Sequence, residues 1–148
     1  LEVALGKFDF SQLDALDPSL ADEHKLLYDK EVPMDLKMET SEGTKNVSQF
    51  EAIKCKVLVQ GSEREPKCFR IELSCENDLF FHFTGDVNEV TFQNMKEEQQ
   101  LITQYSDFSA LIIRLLNSCI DDPDVFMADF IMKKEGTGRL ELYKGKQF

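Results

Sequence analysis

The clearest pattern in the chain is an apolar stripe at helical spacing between Ser106 and Pro123. Residues three or four positions apart lie on one face of a helix, and this face is broad enough to cover a sheet. Ser106 is placed to cap the start of the helix, and Pro123 ends it because proline disfavours helical geometry in the preceding residue. The pattern therefore predicts one long helix set among strands. Its apolar positions are Phe108, Leu111, Ile112, Leu115, Cys119 and Ile120.

Three runs upstream of this helix are rich in strand-forming residues, and the first two alternate apolar with polar positions, as half-buried strands do. The runs span residues 52–59, 69–75 and 79–85, and short polar turn segments separate them. Short turns between such runs favour antiparallel neighbours. We therefore expect three consecutive antiparallel strands.

The segment from Leu26 to Met38 is also strand-like, but Pro33 interrupts it. Proline cannot donate a hydrogen bond to a strand ladder. We therefore expect two short strands with a bend between them, Leu26–Glu31 and Met34–Met38, followed by a polar turn over residues 41–49.

The elements around the long helix complete the predicted fold. Asn88 is placed to cap a short helix over residues 89–100, and residues 101–105 have the pattern of a brief strand. Residues 125–134 are apolar on both faces apart from one aspartate, so this strand should be central, and residues 139–144 alternate again after a turn. Together the elements predict an α+β domain: an antiparallel β-sandwich or barrel with one long and one short helix.

Residues 1–24 differ in composition from the rest of the chain. They contain six acidic residues against one lysine, and their apolar residues are thinly spread. Such a segment buries little surface by itself. We expect a flexible acidic extension, with a partner-docking motif through residues 10–16 as the alternative, and we place the folded domain at residues 25–148.

The charge of the chain limits its partners. The 148 residues carry a formal net charge of −11, which opposes binding to nucleic-acid phosphates or to an anionic membrane surface. No apolar run is long enough to span a bilayer. The cysteines form no CxxC pair and lie within apolar patterns, which favours reduced core thiols in an intracellular protein. They are Cys55, Cys68, Cys75 and Cys119.

Residue types with catalytic potential form no recognisable motif. His24 and His82 are far apart in sequence and lack the spacing of zinc ligands. The sequence has neither a nucleophile elbow nor a glycine-rich phosphate loop, and its many carboxylates make a chance pair more common than a catalytic one. We therefore expect no metal, no cofactor and no enzymatic activity.

Three blocks of the sequence resemble the N-terminal head of the centriolar cartwheel family, spindle assembly abnormal protein six. Residues 26–38 resemble the opening strand pair around a Val-Pro step, and residues 69–116 match the signature segment in order and spacing. Residues 140–148 resemble the strand and the tip loop that ends in an exposed aromatic. The resemblance implies a fold shared with the scaffold proteins of DNA end joining. The family's head continues into a strand, a helix and a coiled coil, which we expect to lie outside this chain.

The resemblance implies self-assembly rather than catalysis. In the family, two heads meet about a twofold axis, and each inserts a tip aromatic, here Phe148 beside Gly145 and Lys146, into an apolar pocket of the other. Two different twofold contacts per chain, one of them through the coiled coil, then build the ninefold cartwheel of the centriole or basal body. The implied partners are a second copy and other centriole assembly proteins in the cytoplasm and cytoskeleton, with no nucleic acid and no membrane. Candidate pocket residues are Phe92, Met95, Phe108, Leu111 and Ile112.

Two alternative assignments share this fold. One is the head of a DNA end-joining scaffold, against which the net charge of −11 counts. The other is a stalk-less relative of the cartwheel protein, which a head alone does not distinguish from the protein with a coiled coil.

Overall fold

Seven strands form one sheet in the computed structural model of the protein, which describes residues 6–10, 24–40, 43–62, 64–133 and 135–145. The strands are β1 (Gly6–Phe10), β2 (His24–Thr40), β3 (Gly43–Gly61), β4 (Pro66–Cys75), β5 (Asp78–Val87), β6 (Phe126–Met132) and β7 (Gly138–Lys144). Neighbouring strands follow the order β1-β7-β6-β2-β3-β4-β5. The strand over residues 125–134, predicted to be central, lies between β7 and β2, which confirms that prediction.

Among the described residues, two α-helices accompany the sheet and confirm the predicted α+β class: α1 (Glu89–Gln99) and α2 (Phe108–Asp121). Asn88 caps α1 as predicted. Its Oδ1 accepts a hydrogen bond from the Thr91 N–H at 2.9 Å, and Thr91 Oγ1 accepts one from the Asn88 N–H at 2.9 Å. The end of α2 before Pro123 is also as predicted.

The segment that leads into α2 differs from the prediction. Tyr105–Asp107 form a 3₁₀ turn that runs directly into the helix, so Ser106 lies within this turn and does not cap α2. Residues 101–105 form no strand, because the chain turns inward to bury the Tyr105 ring. That ring lies with its centroid 5.2 Å from Phe69 and 5.6 Å from Phe92.

The core lies between the helices and one face of the sheet. Buried apolar side chains of β2 to β7 point to this face, and α2 covers it with an amphipathic surface. The buried positions of α2 are Phe108, Ile112, Leu116 and Cys119. The predicted apolar stripe therefore faces the core as expected, although Leu116 rather than Leu115 is fully buried.

The sheet is mixed, whereas we predicted an antiparallel one. β6 pairs antiparallel with β7 but parallel with β2, over residues 129–132 and 35–38. A parallel pair needs a long crossover, and the crossover between β2 and β6 includes α2. No described residues pair β1 with β5, so the sheet is open, and the predicted sandwich or barrel is not confirmed.

β2 runs without interruption through Pro33, which corrects the predicted bend. β3 pairs with β2 here, but β6 joins β2 only from Asp35 onward. Pro33 therefore lies where no described residue pairs with one side of β2, a position at which a missing N–H is tolerated. The predicted polar turn is also wrong over residues 43–49, which belong to β3 and, apart from Val47 and Ser48, pair with β2.

Part of the acidic N-terminal segment belongs to the sheet. β1 pairs antiparallel with β7 along its whole length and covers the β7 edge. Gly6–Phe10 therefore differ from the flexible extension that we expected. For residues 1–5 and 11–23 that expectation lies outside the described residues.

Candidate interaction site

A row of acidic residues crosses the face of the sheet opposite the core. Asp35 of β2 lies beside Asp129 of β6, which in turn lies beside Glu141 of β7. Phe50 of β3 stands on the other side of Asp35. Directly paired residues share a face of a sheet, so strand pairing collects three carboxylates and one aromatic ring from distant parts of the chain.

Asp129 is the most buried member of this row, with a side chain that is 6% exposed. Its Oδ2 accepts hydrogen bonds from Lys37 Nζ at 2.8 Å and from Tyr143 Oη at 2.7 Å. The bond to Asp129 raises the pKa of Lys37 above its ordinary value of 10.5, although burial opposes this effect. Burial, and then the bond to Asp129, raise the pKa of Tyr143. Both donors therefore keep their protons at neutral pH.

Asp35 is less well satisfied than Asp129. Its Oδ1 is buried and has no hydrogen-bond partner among the described residues. Burial and the neighbouring Asp129 raise the pKa of the Asp35 carboxyl, while Lys37 lowers it. A carboxylate in these surroundings gains from any further donor or cation that reaches it.

A pocket opens beside Asp35, where β2 and β6 diverge before their paired segment begins. Its volume is about 90 Å³. The lining is mostly apolar and comes from β2, β3, β6, β7 and the C-terminal end of α2. We call it the β2–β6 pocket; its walls are Pro33, Asp35, Phe50, Cys119, Pro123, Phe126, Met127, Ala128, Asp129 and Tyr143.

The end of β7 and the residues after it begin next to this pocket. We call residues 144–148 the tip. The Gly145 N–H donates to the Val125 carbonyl oxygen at 2.6 Å, which ties the start of the tip to the segment before β6. A Cβ atom on Gly145 would lie 3.1 Å from Cε of Met127, so Gly145 lies close to a pocket wall. Lys146 and Phe148, predicted to form the contact, lie outside the described residues.

The five predicted pocket residues do not form one pocket in the structure. Phe92, Phe108 and Ile112 are at most 1% exposed and belong to the core. Met95 is partly buried and packs against that core. Leu111 lines a shallow groove, which also includes Ile102, Gln104 and Arg114, at the N-terminal half of α2.

Sequence reasoning missed the β2–β6 pocket because its walls come from segments that only the parallel pairing brings together. One signal was present in the sequence. Asp129 is an acidic residue within an otherwise apolar strand, and such a residue needs partners that compensate its charge. Those partners are Lys37 of β2 and Tyr143 of β7, and nothing in the sequence around them identifies them as partners of Asp129.

The chemistry of the pocket suits binding. Cys119 is a free thiol, and burial raises its pKa to about 11, so it stays protonated at neutral pH. No group of three or more His, Cys, Asp or Glu residues in the described ranges is placed to hold a metal ion. A membrane-spanning helix is likewise absent from the part of the chain that the structure describes. The pocket offers apolar walls beside an acceptor that can take a further hydrogen bond.

The fold is similar to those of solved SAS-6 N-terminal structures. The N-terminal coiled-coil dimer of C. elegans SAS-6, crystal form B, aligns with a TM-score of 0.63 over 84% of this chain and 82% of that chain, at 17% identity. The N-terminal domain of Leishmania SAS-6 aligns with a TM-score of 0.63 over 84% of this chain and 100% of that chain, also at 17% identity. No curated protein matches the chain.

The family match extends beyond likeness of fold. The family model described as the centriolar protein SAS N-terminal domain matches residues 26–148. This span begins in β2 and contains both the β2–β6 pocket and the tip. The chain therefore belongs to the SAS-6 N-terminal domain family of centriolar proteins.

Proposed function

We propose that this chain is the head of a structural scaffold protein and that two heads bind each other about a twofold axis. The family match over residues 26–148 supports this function. Two solved relatives are described as a stabilised dimer and as an N-terminal coiled-coil dimer of C. elegans SAS-6. In this proposal the protein works in the ninefold cartwheel of the centriole or basal body, together with other centriole assembly proteins.

We further propose that Phe148 of each head enters the β2–β6 pocket of the other. The observation that carries this proposal is the position of Met127, which both lines the pocket and lies against Gly145. In a twofold contact, the inserted group and the receiving pocket must both face the axis. Phe148 follows Gly145 by three residues, so its Cα lies within about 11 Å of that glycine.

The size of the pocket suits a ring that enters only in part. A closed apolar cavity of roughly 150 Å³ holds a benzene molecule. The β2–β6 pocket, at about 90 Å³, is smaller but opens to solvent. Phe50, which is 73% exposed, lines it and offers further apolar surface to an incoming ring.

The expected contact is weak. Burying one phenylalanine ring contributes about 2 kcal/mol, and the twofold axis doubles this to about 4 kcal/mol. A binding free energy of that size corresponds to a Kd on the order of 1 mM. Such a contact assembles a polymer only when a second link, such as a coiled coil, raises the effective concentration of heads.

We also propose that the sheet curls toward the barrel-like or sandwich-like head of the family. The support comes from its two outermost strands. β1 and β5 stand at opposite ends of the strand order, yet some of their Cα atoms lie within 8 Å of each other. A strongly twisted sheet brings its ends together in this way.

Sedimentation equilibrium up to about 1 mM protein tests the head contact. We expect the wild type to dimerise, and Phe148→Glu to remain monomeric with an unchanged circular dichroism spectrum. Phe80→Glu is the matched control, because Phe80 is 95% exposed at the start of β5 and lies outside the β2–β6 pocket.

Two outcomes would refute the contact. If Phe148→Glu dimerises as the wild type does, Phe148 is not the inserted group. If the wild type is monomeric and Phe148→Glu lowers its stability, the Phe148 ring packs against its own chain rather than against a partner.

A further inference from the structure

Asp35 holds an excess negative charge at the edge of the β2–β6 pocket. Asp35 and Asp129 carry two negative charges and Lys37 carries one positive charge, which leaves a net charge of −1 for these three residues. Lys37 Nζ is committed to Asp129 at 2.8 Å, and Glu141 of β7 adds no net charge because Arg139 Nε lies 3.8 Å from its Oε1. The carboxylate of Asp35 therefore needs a cation from elsewhere.

The tip supplies cations of the matching sign. Its sequence from residue 144 is Lys-Gly-Lys-Gln-Phe, in a protein whose net charge is −11. Lys146 precedes Phe148 by two residues, so the two Cα atoms lie within about 7 Å of each other. Lys144 is exposed, and its Cα can be up to about 14 Å from that of Phe148. A ring that enters the pocket therefore brings Lys146 to the pocket edge more readily than Lys144.

We propose that Lys146 of a second copy forms an ion pair with Asp35 when Phe148 of that copy occupies the β2–β6 pocket. This inference rests on the proposed head contact and names its polar component. The charge complementarity fixes the occupant, because the pocket edge is acidic and the tip is basic. The ring contributes apolar area, whereas the lysine and the carboxylate admit only one orientation of the tip.

The proposed role of Asp35 in binding lowers the stability of the isolated head. A partly buried carboxylate with an unsatisfied oxygen destabilises the monomer, and a lysine from the partner compensates that charge in the dimer. Asp35→Asn should therefore have opposite effects on the two states. It should raise the thermal midpoint of dilute, monomeric protein at pH 7, and it should weaken dimerisation.

The test measures dimerisation of four variants by sedimentation equilibrium and by NMR dilution series. Asp35→Asn and Lys146→Gln should each weaken the dimer roughly tenfold, and the double variant should be no weaker than either single variant. Lys144→Gln changes the net charge equally and is the matched control, with an expected effect below about twofold. Added salt should weaken the wild-type dimer more than the Asp35→Asn dimer.

The outcomes separate this inference from the head contact itself. If Phe148→Glu abolishes dimerisation but Asp35→Asn and Lys146→Gln do not weaken it, the head contact stands and the ion pair is wrong. The ion pair is also wrong if the two substitutions have additive effects, or if Lys144→Gln weakens the dimer as much as Lys146→Gln does. A fall in the thermal midpoint of Asp35→Asn would show that Asp35 serves the fold instead.

Discussion

Substitution of Lys37 by methionine isolates the charge network under the β2–β6 pocket. Methionine keeps most of the length and apolar surface of the lysine side chain but removes its ammonium group. Asp129 would then be a carboxylate that is 6% exposed and keeps Tyr143 Oη as a hydrogen-bond donor at 2.7 Å. The perturbation therefore leaves a buried negative charge without the cation that now lies 2.8 Å away.

The structure sets the expected size of the effect. Removing one partner from a fully buried ion pair costs about 3–5 kcal/mol. The Lys37 side chain is 25% exposed, so water already screens the pair, and Tyr143 remains bonded to Asp129. We therefore expect Lys37→Met to lower the free energy of unfolding by about 2 kcal/mol at pH 7. In a domain of this size that change lowers Tm by about 4–8 °C.

The pH dependence gives the effect a signature. The pKa of Lys37 is raised above 10.5 in the fold, so its pairing stabilises the wild type fully below pH 10.5 and is lost as the pH rises through the raised pKa. The difference in stability between wild type and variant should therefore narrow as the pH rises through the raised pKa of Lys37.

Urea unfolding followed by circular dichroism, at several pH values, measures this difference. Lys25→Met is the matched control, because Lys25 is an exposed lysine on the same strand. Adding Asp129→Asn to Lys37→Met should recover part of the lost stability, since it removes the buried charge. An undiminished stability of Lys37→Met at pH 7, or a deficit that does not narrow above pH 10.5, would refute the reasoning.

Two further predictions concern the fold that carries the site. Gly138→Ala should lower the free energy of unfolding in urea by about 2 kcal/mol. The new Cβ would overlap Cζ of Phe130 and lie 2.8 Å from its Cε1, and the Phe130 side chain is 0% exposed. An unchanged free energy of unfolding would mean that the Phe130 ring shifts freely. Asn88→Ala should lower the stability measured by thermal unfolding by about 1 kcal/mol, because it removes the acceptor for the Thr91 N–H. Asn88→Asp keeps an acceptor there and should keep the stability. An equal loss of stability in both variants would count against the capping role of Asn88.

Local pattern was sufficient for the elements whose residues interact with near neighbours in sequence. The alternation over residues 53–59 and 69–75 placed the C-terminal half of β3 and the whole of β4 correctly, because a two-residue period is a property of the strand itself. The side chain of Asn88 accepts a hydrogen bond from a backbone N–H only three residues away, so the start of α1 could also be predicted from the sequence. The centrality of β6 followed from an apolar run that needs cover on both faces.

The family resemblance, which the sequence also carried, pointed to the tip, and the structure adds the pocket beside it. Phe92, Phe108 and Ile112 have the composition of a pocket wall, but burial assigns them to the core. Apolar periodicity reports that a residue avoids water; it does not report whether its neighbour belongs to its own chain or to a partner.

Tertiary structure alone decided how distant segments meet. The parallel pairing of β2 with β6 brings Asp35 beside Asp129 across 94 residues of chain, and no local rule favours that partner over another strand. The same pairing stops at Asp35, which opens the β2–β6 pocket beyond it. By itself, the sequence determined most of the segments that form strands and helices, because those choices depend mainly on neighbouring residues. The fold determined which charges and apolar walls share one site, because that choice depends on the order of strands in the sheet.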